Sequence, residues 1–345
     1  MRDLAREVLE GQEAWVVGGA VRDELLGRDV VDLDIAVHDP RATAREYARR
    51  SGGAPFPLSE RHGAWRVALE EGRTVDFTPL RDSIEDDLAT RDFTINAIAV
   101  PLAGGEPADP YGGRSDMKER IIRAVSPSVF TDDPLRLLRA VRLGDELAFR
   151  LDPETEQLVR EHAELVTRPA GERTYAELVR LSEAGYLSAG ELGLLEPLGG
   201  LAEGLDRAEL VDSPEFRLVT VFGESLARLP VPNELLRYSR ALLRAQPPAD
   251  GSPRAIHRFR RATEPWALDA LAFVGASERA DAVREARENE PAEPLLRGDE
   301  LGLPPGPEIG RLLELLEEER AAGAIQTREE ALELVRRELG RGGAK

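Results

Sequence analysis

Asp32 and Asp34 stand one residue apart in "VVGGAVRDELLGRDVVDLDIAV", the stretch from Val16 to Val37. On a strand such residues point to the same face, so the two carboxylates are close enough to share cations. Charges set among Val30, Val31, Leu33, Ile35 and Val37 are costly unless a metal or hydrogen-bond donors compensate them. An edge strand with its acids facing water is the plain alternative. Asp76, in "TVDFTPLR", shifts the balance, because it also sits mid-strand among apolar residues. Three acids on neighbouring strands make the two-metal arrangement that nucleotidyl transfer uses, one ion lowering the pKa of an attacking hydroxyl and the other stabilising the departing pyrophosphate.

The rest of the sequence narrows the metal. There is no cysteine, and His38, His62, His162 and His257 are scattered without ligand spacing. A hard cation on carboxylate oxygen, magnesium or manganese, is the expectation. The Gly18-Gly19 corner precedes a helix expected near Val21 to Leu26, so its backbone N–H groups and Arg22 are available to a phosphate. A tight strand-to-helix turn is the plain alternative there.

The elements that position these residues follow from periodicity. Val16 to Val17, Leu33 to Val37, Trp65 to Leu69, Thr74 to Phe77 and Ile95 to Val100 read as strands, and Arg41 to Arg50 as a helix. "EEGRT" signals a hairpin, which makes that part of the sheet antiparallel. After Ser126, "DDPLRLLRAVRLGDELAF", "DPETEQLVREHAELV" and "GERTYAELVRLSEAGYL" carry apolar residues at helical spacing behind N-cap signals. "RAQPPADGSPRA" and "ENEPAEPLLRGDELGLPPGPEIG" are candidate boundaries, and "GRGGAK" at the end reads as disordered.

At 345 residues the chain should form more than one domain. No apolar span reaches membrane-crossing length, and Asp3, Glu7 and Glu10 do not suit a secretion signal, so a soluble cytoplasmic protein is expected. A net charge of -19 argues against nonspecific coating of nucleic acid but leaves room for a local basic groove. Apart from Lys118 and Lys345, every Lys or Arg position is arginine, a fork suited to phosphates and base edges. The codon bias of a GC-rich genome accounts for that equally well.

Taken in order, "GGAVRDELLGRDVVDLDIAV", "RDFTINAIAV", "DPYGGRSDMKERIIRAV", "DDPLRLLRAVR" and "GERTYAEL" resemble the class II tRNA nucleotidyltransferases and bacterial poly(A) polymerases of the polymerase-beta superfamily. The resemblance is strong over the first 180 residues, and the segment beginning "GDELGLPPGPEIG" is similar to the end of the tRNA enzymes. It implies an α+β fold: a polymerase-beta-like head (1–125) with a small mixed or antiparallel sheet, then an all-helical neck (126–185), body (186–250) and tail (251–345). It implies two magnesium ions, CTP and ATP as substrates, and a tRNA held by its acceptor and T arms. By position, Asp32 and Asp34 match the metal ligands and Asp76 the third catalytic acid. Gly18, Gly19, Arg22 and Asp23 match the nucleotide-binding corner, while Arg91, Asp92 and Asn96 match contacts to ribose and triphosphate. The first arginine of that motif is Thr90 here. The neck motif appears as Asp132, Asp133 and Arg136, with Asp at its usual Glu, followed by Arg139. Glu172, Arg173, Glu177 and Leu178 match a motif expected to brace the neck.

Chemistry agrees with a base-reading role for Asp133 and Arg136. Asp133 only accepts hydrogen bonds and Arg136 only donates them, and at i and i+3 they are expected on one helical face. Cytosine and adenine each pair an amino donor with a ring acceptor and satisfy both side chains, whereas uracil and guanine present the reverse sense. An ordinary intrahelical ion pair is the alternative. The short connection "FTPLRDSIEDDLAT" between Asp76 and Arg91 lacks the loop that CCA-adding relatives carry, and loss of that loop is associated with CC addition, with a separate A-adding enzyme acting next. Full CCA or A addition, polyadenylation, and a noncatalytic tRNA-binding relative are the competing readings. Arg139, Arg142, Arg258, Arg260 and Arg261 are the expected local basic surface, the last three from "RAIHRFRRA", for which a solvated face is the default.

Overall fold

Alternating apolar residues build a sheet of six strands: β1 (Ala14–Val17), β2 (Asp32–Val37), β3 (Ala54–Ser59), β4 (Ala64–Ala68), β5 (Thr74–Pro79) and β6 (Ala99–Pro101). Their order is β3-β4-β5-β2-β1-β6, with β2 and β5 parallel and the other pairs antiparallel. This computed structural model describes residues 1–59, 63–184 and 186–342, so His62 and the last three residues of "GRGGAK" lie outside the described residues.

The first ten helices are α1 (Arg2–Val8), α2 (Gly19–Leu25), α3 (Pro40–Ser51), α4 (Ile84–Leu88), α5 (Gly113–Glu119), α6 (Val129–Asp132), α7 (Arg136–Leu147), α8 (Pro153–Glu161), α9 (Gly171–Ala184) and α10 (Leu187–Glu191). Helix α3 starts where Asp39 caps the Ala42 N–H at 3.0 Å with Pro40 at the first position, and stops at the left-handed Gly52. It covers one face of the sheet, where Tyr47 meets Phe77 at a ring separation of 5.6 Å. Leu33, Ile35, Val37, Val75 and Phe77 are buried. Strand alternation then turns Asp32, Asp34 and Asp76 to the opposite face.

Several expectations shift. Ile95 to Val100 is not one strand: Thr94–Asn96 is a 3-10 turn and pairing starts only at Ala99. The cause is local, since the Asp92 carboxylate accepts from the Phe93 N–H and the Asn96 amide, both at 2.9 Å, and curls the chain. Strand β3 went unread because Pro55 and Pro57 cannot donate to a ladder, a defect that an edge strand tolerates. Helix α2 begins at Gly19, two residues before the expected start. A short parallel pair, β7 (Ile121–Ile122) with β8 (Arg150–Leu151), spans the expected boundary after residue 125.

The chain divides into two compact units, Met1–Gly199 and Gly200–Lys345. The second is helical: α11 (Ala202–Ala208), α12 (Pro214–Phe222), α13 (Asn233–Arg244), α14 (Pro253–Thr263), α15 (Ala267–Phe273), α16 (Ala280–Glu288), α17 (Pro307–Ala321) and α18 (Arg328–Gly342). Both Pro/Gly-rich stretches connect helices inside this unit, and Leu296, Leu301, Leu312, Leu316 and Val335 form a core around α17 and α18. Helix α18 runs through Gly342, so the start of the expected disordered tail is helical.

Candidate active site

The acids meet because the register places them in one row. Asp34 on β2 lies opposite Asp76 on β5, and Asp76 lies opposite Arg66 on β4. Arg66 donates from Nε and Nη2 to the two oxygens of Asp76, each at 2.7 Å. Arg66 was not among the expected residues, although alternation in "AWRVA" together with the "EEGRT" hairpin carried the signal. Asp32 is exposed and accepts from the Thr74 hydroxyl at 2.7 Å.

Asp34 is half-buried, and its carboxyl is pushed up to about 6, first by burial and then by the nearby Asp76 and Asp32, against the pull of Arg91. That crowding of negative charge is what a hard cation relieves, so Asp32 and Asp34 fit magnesium as oxygen donors. Among the described residues no three acidic or histidine side chains converge as a ready-made cation cage. Asp76 is turned onto Arg66 and Asp32 onto Thr74.

The glycine corner belongs to the same cluster. Gly18 has φ +72°, and a Cβ there would sit 3.3 Å from both Arg91 Nη1 and Asp34 Oδ2. Only glycine meets the conformation and the close approach together. Arg91 is held from the other side by Asp87 of α4, at 3.0 and 2.6 Å. Arg22, expected to be free for a phosphate, is instead committed within the protein. It donates to both oxygens of Asp23 and to the side-chain Oδ1 of Asn96, all at 2.9 Å. Asn96 donates in turn to Asp92, which pairs with Arg139 at 2.9 Å. Burial works to raise the Asp92 pKa, but Arg139, Asn96 and the Phe93 N–H outweigh it and hold it low. The "DPYGGR" motif buttresses this turn: a Cβ at Gly113 would lie 2.1 Å from the Thr94 carbonyl oxygen, and Asp116 accepts from the Thr94 hydroxyl at 2.6 Å.

Asp133 and Arg136 do not share a helical face. Asp133 is the extended residue that ends α6, and α7 begins at Arg136. Asp133 pairs with Arg173 at 2.7 Å, while Arg136 donates to the carbonyl of Thr90 at 2.6 Å. The ordinary intrahelical ion pair is excluded for the same reason. Of the neck motif, Arg173 thus fixes Asp133, Glu177 accepts from Arg142 at 2.8 Å, Leu178 is buried and Glu172 is exposed. Asp132 accepts from the Ser128 hydroxyl at 2.8 Å.

These elements surround a cleft of about 690 Å³, whose lining includes Gly19, Asp32, Asp34, Asn96, Arg139, Arg142 and Arg180. Arg28 and Arg180 were not among the expected residues: Arg28 lies within "GGAVRDELLGRDVVDLDIAV" with no feature of its own to mark it, and Arg180 lies just beyond "GERTYAEL". In the second unit the expected basic surface on α14 is neutralised. Arg254 pairs with Glu319 at 2.6 Å, Arg258 with Glu318 at 2.5 Å, Arg260 with Glu290 at 2.6 Å and Arg261 with Glu317 at 3.7 Å. Glutamates of α17 fall opposite the run, which nothing near "RAIHRFRRA" announces.

Comparison with known proteins gives a consistent result. The poly A polymerase head domain matches residues 14–83 and 66–123. An A-adding tRNA nucleotidyltransferase from Deinococcus radiodurans is 35% identical, covering 94% of this chain and 95% of the relative. A CC-adding tRNA nucleotidyltransferase from Geobacter sulfurreducens is 34% identical, with coverage of 93% and 91%. Among solved structures, the Thermotoga maritima CCA-adding enzyme complexed with tRNA superposes with a TM-score of 0.76 at 24% identity, covering 98% of this chain and 95% of that one. A CCA-adding enzyme with ATP superposes with a TM-score of 0.80 at 22% identity and the same coverage, and at these identities both are evidence of fold.

Proposed function

The chain belongs to the class II tRNA nucleotidyltransferases, the CCA-adding enzyme family, and from that premise we propose that it extends the tRNA 3' end with nucleotides from CTP or ATP, leaning to CC addition. The observation that carries the reading is the register that sets Asp34 beside Asp76, with Gly18 and Arg91 against the same carboxylate. In this reading the tRNA 3' hydroxyl attacks the α-phosphate in line and pyrophosphate leaves. Asp32 and Asp34 are the residues that would hold magnesium, whose charge, when bound, lowers the pKa of the hydroxyl and stabilises the leaving group. Arg66 holds Asp76 in place beside Asp34. Arg91 and the Gly18-Gly19 corner receive the triphosphate, and the chain from Arg22 to Arg139 ties that corner to the neck. Asp133 and Arg136, oriented by Arg173 and the Thr90 carbonyl, read the base with their remaining acceptor and donor positions. Most of the catalysis is positioning and charge stabilisation.

The lean to CC rests on the connection from Asp76 to Arg91. It passes from β5 directly into the five-residue α4, which Ser83 caps at 3.1 Å, with no inserted loop. Identity to relatives does not choose, since the A-adding and CC-adding relatives are equally close. Transcripts lacking CCA, ending in CC, or complete should be incubated with magnesium and single nucleotides. Two cytidines followed by a stop are expected, and addition of A to a CC-ended tRNA would refute the CC assignment. No addition to any transcript would refute the whole reading.

For the tRNA body, α13 replaces α14 as the contact we propose. Arg237, Arg240 and Arg244 lie at i, i+3 and i+7, all exposed, and form no ion pair among the described residues. Replacing all three by alanine should weaken tRNA binding and flatten its log K against log salt slope by about 2 to 3, with CTP and ATP KM unchanged. An unaltered slope would place the RNA elsewhere.

A further inference from the structure

The cleft beside Asp32 and Asp34 is lined by Arg22, Arg28, Arg139, Arg142 and Arg180. Four of these guanidinium groups are engaged: Arg22 by Asp23 and Asn96, Arg28 by Glu146 at 3.3 Å, Arg139 by Asp92, and Arg142 by Glu177 and Glu146. Arg180 is exposed and makes no hydrogen bond or ion pair among the described residues. Helix α9 aims it into the cleft, because it lies one turn after Glu177, whose carboxylate is fixed by the cleft-lining Arg142. Glu183, a turn further on, lines the same cleft and still does not neutralise it.

A guanidinium held over a polar cleft without an internal acceptor is a fork of donors waiting for a planar or tetrahedral oxyanion. We propose that Arg180 binds a phosphate of a substrate in this cleft, the triphosphate of the incoming nucleotide or a backbone phosphate at the tRNA 3' end. The proposal rests on the nucleotidyl-transfer reading. It makes Arg180 a substrate-positioning residue supplied by α9, in the same cleft as the acids supplied by the sheet.

Steady-state addition to tRNA, varying nucleotide and tRNA separately, tests it with Arg180→Ala, Arg180→Lys and, as a control, Arg168→Ala, an exposed arginine of the same unit away from the cleft. Arg180→Ala should raise one of the two KM values about tenfold, the scale of one charge-assisted hydrogen bond, with kcat within about twofold. Arg180→Lys should recover part of that loss, since lysine keeps the charge but not the fork. A raised nucleotide KM assigns the triphosphate and a raised tRNA KM the RNA phosphate. Unchanged KM values, or equal losses of kcat and thermal midpoint in both Arg180 variants, would overturn the proposal. An inactive parent chain would instead refute the catalytic reading on which it rests.

Discussion

Asp34→Asn is expected to lower nucleotide addition by about a thousandfold or more while leaving the thermal midpoint unchanged or raised. Loss of one ligand removes charge where the attacking hydroxyl and the departing pyrophosphate develop theirs, a site where single preorganised groups are worth about a hundred- to a thousandfold. The stability half has a separate origin. Asp34 is half-buried and crowded by Asp76 and Asp32, which is why its carboxyl is raised to about 6. A neutral amide of the same shape therefore removes an unfavourable charge from the folded chain. Addition assays with magnesium, and thermal melts without it, would check the two halves separately. Activity within tenfold of the parent would refute the ligand role, and a large fall in midpoint would make the loss of activity structural.

Arg142→Met should produce the largest loss of stability in the first unit. The Arg142 and Glu177 side chains are only 11% and 10% exposed and meet at 2.8 Å between α7 and α9. Removing the arginine strands Glu177 in that interface, a class of change that costs about 3 to 5 kcal/mol. Replacing both residues with methionine should recover most of it, since no unpaired charge then remains. Native-state hydrogen exchange of α7 and α9 amides is the readout, because it reports local opening of the neck rather than unfolding of a chain with two units. Substrate KM should rise in parallel with the single change, as α7 and α9 carry Arg139 and Arg180 into the cleft. Protection equal to the parent in Arg142→Met would mean that the pair does not brace the neck.

Much of the fold was legible because its signals are local. The alternation in "DLDIAV", the "EEGRT" turn and the helical pattern from Arg41 to Arg50 each act within a few residues. The misreadings have physical causes of the same scale. Prolines hid β3, since a ladder defect is harmless only at an edge. "DFTINA" looked like a strand until the Asp92 side chain bent it into a 3-10 turn. Asp133 and Arg136 have helical spacing, but the chain is extended at Asp133 and turns into α7 only afterwards.

The amino-acid order alone determined that Asp32 and Asp34 share a face, that a glycine corner precedes them, and that a third acid follows on another strand, because these depend on periods of two and on turn chemistry. It also carried the motifs by which the family is known. Only the tertiary structure decided which charges remain available. Whether a guanidinium meets a carboxylate depends on which helix or strand lies opposite, a long-range fact that spacing does not encode. Thus Arg66 locks Asp76, Asp23 and Asn96 occupy Arg22, glutamates of α17 meet Arg254, Arg258 and Arg261 of α14, and Arg180 in the cleft and the exposed α13 arginines keep no ion pair among the described residues.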